Sequence, residues 1–138
     1  MKRTLFGMTA LALVTIVAVS GCSSSKTNPV DPLAGFQPQI NNATDDFQFQ
    51  ATAIEDVSGT VNYSWANTGA QATINHSSTV DSGTATLYVY DNNDSLVYTN
   101  GLSASLNEST QTGVAGNWRI RVVMNNCWGT LNFRAQML

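Results

Sequence analysis

The run Gly116-Asn117-Trp118-Arg119-Ile120-Arg121-Val122-Val123-Met124 decides the fold. Trp118, Ile120, Val122 and Met124 occupy alternate positions, with Arg119, Arg121 and Val123 between them. Successive side chains of an extended backbone point to opposite sides, so a period of two marks a strand with one buried face. A helix would space its apolar residues three and four apart.

The same texture extends in both directions, from Asp45 to Leu138. Phe47, Phe49, Ala51 and Ala53 alternate with Gln48, Gln50 and Thr52, and Val61, Tyr63 and Trp65 alternate with Asn62 and Ser64. Ala70, Ala72, Ile74 and His76 share one face of a third run, and Ala85, Leu87 and Val89 oppose Thr84, Thr86, Tyr88 and Tyr90. Asp91-Asn92-Asn93-Asp94 is a hairpin turn by composition, from which Ser95 to Thr99 returns. Leu102, Ala104 and Leu106 form a weaker run before a polar loop from Asn107 to Asn117, and Leu131, Phe133, Ala135 and Met137 close the chain. About eight such segments, punctuated at the spacing typical of sandwiches, predict an all-β domain: a single antiparallel β-sandwich, jelly-roll or immunoglobulin-like. No window in this region has a 3.6 period, so helix is expected to be absent or a single turn.

Residues 23 to about 44 read differently. They hold all three prolines together with many Ser, Asn and Gln. Proline removes a backbone donor and resists both helix and central strand, so residues 22–44 are expected to form a flexible tether. Leu33 and Phe36 give its Pro29-to-Pro38 piece the means to pack on the domain.

The chain begins Met1-Lys2-Arg3, continues as an apolar run from Leu5 to Val19, and reaches Val19-Ser20-Gly21-Cys22. That run falls short of the roughly 20 residues of a membrane-spanning helix. A basic start, a short apolar stretch and small residues before the cut describe a secretory signal. With a Cys directly after Ser20-Gly21, the segment resembles a bacterial lipoprotein signal peptide with its lipobox. The resemblance implies cleavage between Gly21 and Cys22, a diacylglyceryl group on the Cys22 sulfur, and acylation of the new amino end. Two or more acyl chains suffice for stable anchoring. Ser23, where an Asp would favour inner-membrane retention, implies the outer membrane in a cell that has one. The expected division is therefore a signal peptide at 1–21, lipidated Cys and tether at 22–44, and sandwich at 45–138, with no cofactor beyond the lipid.

Without Lys2 and Arg3, four basic side chains face nine acidic ones, a formal −5. Nucleic-acid binding needs clustered Lys and Arg, so that class of partner is not expected. The lipid rather than a basic surface would hold the protein to the membrane. With Cys22 lipidated, Cys127 is alone; burial as a small hydrophobe or a harmless loop thiol is expected, and a reactive or pairing thiol is the alternative.

Gly116-Asn117-Trp118-Arg119-Ile120-Arg121-Val122 followed by Gly129-Thr130-Leu131-Asn132-Phe133 is similar to the closing hairpin of bacterial pre-peptidase C-terminal domains and proprotein-convertase P-like domains. Thr86 to Asp91 with Asn93-Asp94 resembles their aspartate-turn hairpin. The resemblance covers about half the domain and implies a jelly-roll-like β-sandwich. Those domains sit beside a peptidase, and this chain carries none, so the resemblance concerns fold.

Three sets of residues are candidates for chemistry. His76, the single histidine, would have to serve as base for a Ser such as Ser64 or Ser77, or for Cys127. No Gly-x-Ser-x-Gly elbow accompanies it, and a strand-end histidine is the plainer reading. Asp91, Asn93 and Asp94 offer oxygen ligands in a tight loop, yet a β-turn selects the same residue types for backbone reasons. Trp128 lies in the Asn125-to-Gly129 loop where core alternation does not require an aromatic, and Tyr88 and Tyr90 oppose Leu87. Exposed aromatics among Asn and Gln suit sugars, by stacking plus hydrogen bonds; the alternative is that Trp128 covers a sandwich end and the tyrosines pair across strands. The expectation is a non-enzymatic lipoprotein that binds or scaffolds an envelope protein or glycan. A carbohydrate-recognition module is the alternative, and a hydrolase or thiol enzyme using His76 is the remote one.

Overall fold

Residues 47 and 63 lie sixteen positions apart on one strand, roughly 50 Å if it ran straight. Their rings stand 5.5 Å apart between centroids. The strand must therefore double back, and that fold-over generates the architecture. A computed structural model describes residues 30–138. The expected signal peptide, the expected lipobox with Gly21 and Cys22, and the expected tether up to residue 29 lie outside the described residues.

Seven strands follow a 3₁₀ turn at Ala34–Phe36: β1 Gln39–Ala43, β2 Asp46–Asn67, β3 Ala72–His76, β4 Thr79–Tyr90, β5 Leu96–Gly101, β6 Leu106–Ser109 and β7 Gly116–Met137. Every pairing is antiparallel. The long pair β2–β7 forms the spine. One layer takes the beginning of β2 and the end of β7, flanked by β1 on one side and by β3 then β6 on the other. The second layer takes the end of β2, the beginning of β7, most of β4, and β5. The result is an all-β antiparallel sandwich whose layers share hydrogen-bonded strands through the bend.

The bend is built from bulges, as where strands pass from one sheet to another. Register breaks between Ala51 and Gly59 on β2, and between Val80 and Thr84 on β4, both opposite the stretch of β7 from Met124 to Leu131. Ala53, Asp56 and Asn126 take left-handed backbone there. The Asn126 amide N–H donates to Ser58 Oγ at 2.8 Å and its side-chain amide donates to Asp56 Oδ1 at 3.0 Å, which pins the two bulged strands together. Gly129 is obligatory, since a Cβ at its φ of +131° would meet Thr79 O at 2.0 Å.

These bulges account for the strand number. The sequence breaks at residues 55–59 and 125–129 read as turns between separate strands, whereas the chain passes through them still paired. Each expected pair of short strands is one strand of 22 residues.

Two more differences concern segments expected as connections. Residues 39–43, expected as tether, form β1. All five are exposed and carry no apolar alternation, so the strand depends on pairing with β2 and leaves no hydrophobic signal. Leu33 is fully buried, and the Pro32 ring sits where a Cβ on Gly59 would come within 2.9 Å. Pro32 thus fits the chain onto the domain rather than away from it. β6 likewise falls at the start of the expected Asn107–Asn117 loop, paired with β3.

The core follows the alternation. Phe47, Phe49 and Phe133 stack from the first layer, with centroids 5.0 Å apart for Phe49–Phe133, and Tyr63 packs onto them from the second. Trp65 and Trp118, cross-strand partners, meet edge to face at 5.9 Å. Their indole N–H groups donate to Ala43 O and Val114 O, so neither is buried unpaired.

Candidate functional site: a polar and aromatic sheet face

The residues left over by the core alternation of the second layer form a grid. Register sets Ser64, Arg119 and Tyr90 in one row across β2, β7 and β4, and Asn62, Arg121 and Tyr88 in the next. Tyr88 and Tyr90 are half-buried and stack at 6.5 Å with 19° between ring planes. The Arg119 guanidinium carbon lies 4.0 Å from the Tyr90 centroid, and its Nε donates to Asp94 Oδ1 at 3.1 Å. Cation–π contact and ion pair together fix that arginine flat on the face.

The hairpin turn completes one side. Asp91 is buried, and its Oδ1 accepts the N–H groups of Asn93 and Ser95, each at 2.9 Å. Its Oδ2 accepts the Val114 N–H at 2.9 Å. Hydrogen bonds from Ser95 and then Val114 hold its carboxyl below the ordinary value of 3.8. Asn92 Oδ1 accepts the Asn117 N–H at 2.9 Å, and Ser64 Oγ donates to Asn117 Oδ1 at 2.6 Å. Between turn and sheet opens a shallow cleft of about 380 Å³, bordered by Asn62, Ser64, Asn92, Asn117 and Arg119.

Of the oxygen ligands offered by Asp91, Asn93 and Asp94, those of the two aspartates are otherwise engaged. Asp91 spends both oxygens bracing the turn, and Asp94 pairs with Arg119. Among the described residues no three His, Cys, Asp or Glu side chains assemble for a metal.

His76 is fully buried on the inward face of β3. Its Nε2 lies 3.4 Å from the Tyr98 hydroxyl, and its Nδ1 has no partner among the described residues. Burial first, then the charge of Glu108, pushes the Tyr98 hydroxyl up to about 12. Ser64 lies on the outer face of the other layer, and Cys127 stands six positions along β7 from Phe133, the cross-strand partner of His76. Ser77, the next residue after His76, borders the same small cleft as that histidine, together with Ser105. Cys127 is fully buried, and burial raises its thiol pKa.

Trp128 is 40% exposed and lies opposite Ser82 at the bend. Tyr88 lies six positions further along β4, beyond the register breaks between Val80 and Thr84. The two tyrosines stack on each other in the second layer, while Trp128 lies at the bend. A larger cleft, about 540 Å³, lies beside Tyr98, Thr99, Glu108 and Gln111, but there Tyr98 and Glu108 bond each other at 3.4 Å. Arg119, Arg121, Asn62, Ser64, Asn92 and Asn117 were not singled out by their sequence pattern. Alternation gave their parity, and only the order of strands shows that they share a face with the tyrosines.

No protein-family model and no curated protein matches this chain. Among solved structures, an arabinose-bound α-L-arabinofuranosidase is 14% identical with a TM-score of 0.35, over 76% of this chain and 23% of that one. A structure of infectious bursal disease virus is 14% identical with a TM-score of 0.30, over 72% and 30%. The chain thus spans under a third of either, and likeness at this distance carries no argument about activity. No described helix is long and apolar enough to cross a membrane.

Proposed function

We propose that the protein is an envelope lipoprotein, anchored through a lipid on Cys22, whose sandwich is a non-catalytic module binding glycan on the outer face of the second layer. The observation that carries the glycan reading is the stacked Tyr88–Tyr90 pair on an open sheet face beside a cleft edged with Asn and Ser. Aromatic rings offer apolar area to the face of a sugar, while amides and hydroxyls answer its hydroxyls. His76 and Cys127 support the non-catalytic part, since each is buried and the His76 Nε2 faces the Tyr98 hydroxyl at 3.4 Å. The lipobox resemblance supports the anchor, which places the module in the envelope of a bacterial cell, at the outer membrane where one exists.

The test is a glycan array probed with the intact protein in detergent, beside its Tyr88→Ala variant. Binding that weakens about tenfold or more in the variant supports the reading. No binding to any glycan, with an envelope protein captured instead by in-cell crosslinking, overturns it in favour of a protein scaffold. Turnover of a peptide, ester or glycan that vanishes on His76→Ala would overturn the non-catalytic part. For the anchor, Cys22→Ser is expected to release a folded protein from the membrane fraction; retention there would refute it.

A further inference from the structure

Four arginines occur in the sequence, and three of them fall among the described residues: Arg119, Arg121 and Arg134. Arg119 pairs with Asp94 and Arg134 with Asp46. Arg121 has no carboxylate and no hydrogen-bond acceptor among the described residues, and its Nε is both shielded from water and unpartnered. An unpaired donor in a shielded position costs free energy, and in a protein this acidic a carboxylate partner would be easy to supply. Arg121 lies between Tyr88 and Asn62 in its row, half-exposed, at the centre of the aromatic and amide face.

We infer that the ligand of this face is an acidic saccharide, whose carboxylate pairs with the Arg121 guanidinium while its ring stacks on Tyr88, the tyrosine that Arg119 does not cover. The inference rests on the glycan reading above and adds the charge of the ligand. A guanidinium presents a planar fork that matches the two oxygens of a carboxylate. One arginine balances one negative charge. A phosphate monoester, nearly doubly charged at neutral pH, would leave an excess on a protein that is already acidic. Tyr88 keeps the neighbouring position apolar and flat, so the charged group and the sugar ring need not compete for the same atoms.

The probes are oligogalacturonate, alginate oligomers and hyaluronan fragments, each beside its carboxyl-reduced, neutral counterpart and a sulfate-ester glycan of similar length. The intact protein is expected to bind at least one carboxylate form tenfold or more tighter than its reduced counterpart, and the preference is expected to shrink as salt rises. Arg121→Gln should abolish the preference, Arg121→Lys should retain part of it, and neither should change the melting temperature by more than a degree or two. Equal binding of acidic and reduced forms, with Tyr88→Ala still weakening both, overturns the acidic inference and leaves the glycan reading standing. Preference for the sulfate ester over every carboxylate overturns the inference as well. If no acidic or neutral glycan binds, both readings fall together.

Discussion

The two outer faces of the sandwich share strands β2 and β7, yet they are built differently. The first layer turns Gln48, Gln50, Asn132, Arg134 and Gln136 outward, and its arginine is bound to Asp46 through Nε at 2.9 Å. The second turns out Asn62, Ser64, Arg119, Arg121, Tyr88 and Tyr90. One face is an amide carpet with its charges neutralised, and the other carries stacked aromatics and a cation without a counter-charge. A solvated sheet face needs only the first kind of composition. The second kind leaves a donor unpaired and aromatic area half-exposed, and on that difference the proposed glycan binding rests.

Both faces rest on one core, and the largest expected effects come from there. Trp118→Ala beneath the second face and Phe133→Ala beneath the first should each cost about 3–5 kcal/mol, the range for truncating a buried aromatic. Chemical denaturation checks this; a loss confined to one layer, with two separate transitions, would show that the layers do not fold as one unit.

Binding should separate the faces where stability does not. Tyr88→Ala should weaken glycan binding about tenfold, worth about 1.4 kcal/mol, whereas Gln48→Ala and Asn132→Ala should leave affinity unchanged. Equal losses on both faces in calorimetric titrations would erase the distinction.

Each face also holds one carboxyl whose pKa is depressed, Asp46 by its hydrogen bond with Arg134 and Asp91 chiefly by backbone N–H groups. In both cases the folded pKa lies below the unfolded one. The stability each contributes is therefore complete above the ordinary value of 3.8 and is lost as pH falls below it towards the depressed value. Asp91→Asn should lower the melting temperature at pH 7 by several degrees and flatten its acid dependence, because the turn loses a fully used acceptor. Asp46→Asn should do so only slightly, since an exposed ion pair is worth ~0.2–1 kcal/mol. Melting curves from pH 2 to 7 decide between them.

At high pH the sign reverses. Burial raises the hydroxyls of Tyr63 and Tyr98 to about 12 from the ordinary 10.0. Folding holds both neutral, so the stability they contribute is intact below pH 10 and declines between pH 10 and 12. Ultraviolet titration should find two tyrosines ionising late, together with unfolding. The Cys127 thiol should stay silent to a disulfide reagent until that point and react promptly afterwards.

Much of this fold was legible in the sequence, because alternation is a local property. Trp118, Ile120 and Val122 announce their burial by spacing alone, and so do Phe47 and Phe49. What spacing conceals is pairing. β1 depends on hydrogen bonds to β2 and shows no apolar pattern, and the bulges at 51–59 look like a turn until the partner strand is seen. The site follows the same division. Tyr88 and Tyr90 stood out as aromatics on the polar side of a strand, while Arg121 beside them is a matter of register between residues 33 apart. Trp128 looked like their companion by residue type, and register puts it at the bend, opposite Ser82.

Amide hydrogen exchange resolved along the chain, with and without an acidic oligosaccharide, tests the central claim most directly. Protection confined to β4 near Tyr88 and β7 near Arg121, with residues 46–51 and 131–137 unchanged, is the expected result. Protection on the amide face instead, or at neither face under conditions where binding is measured, would contradict it.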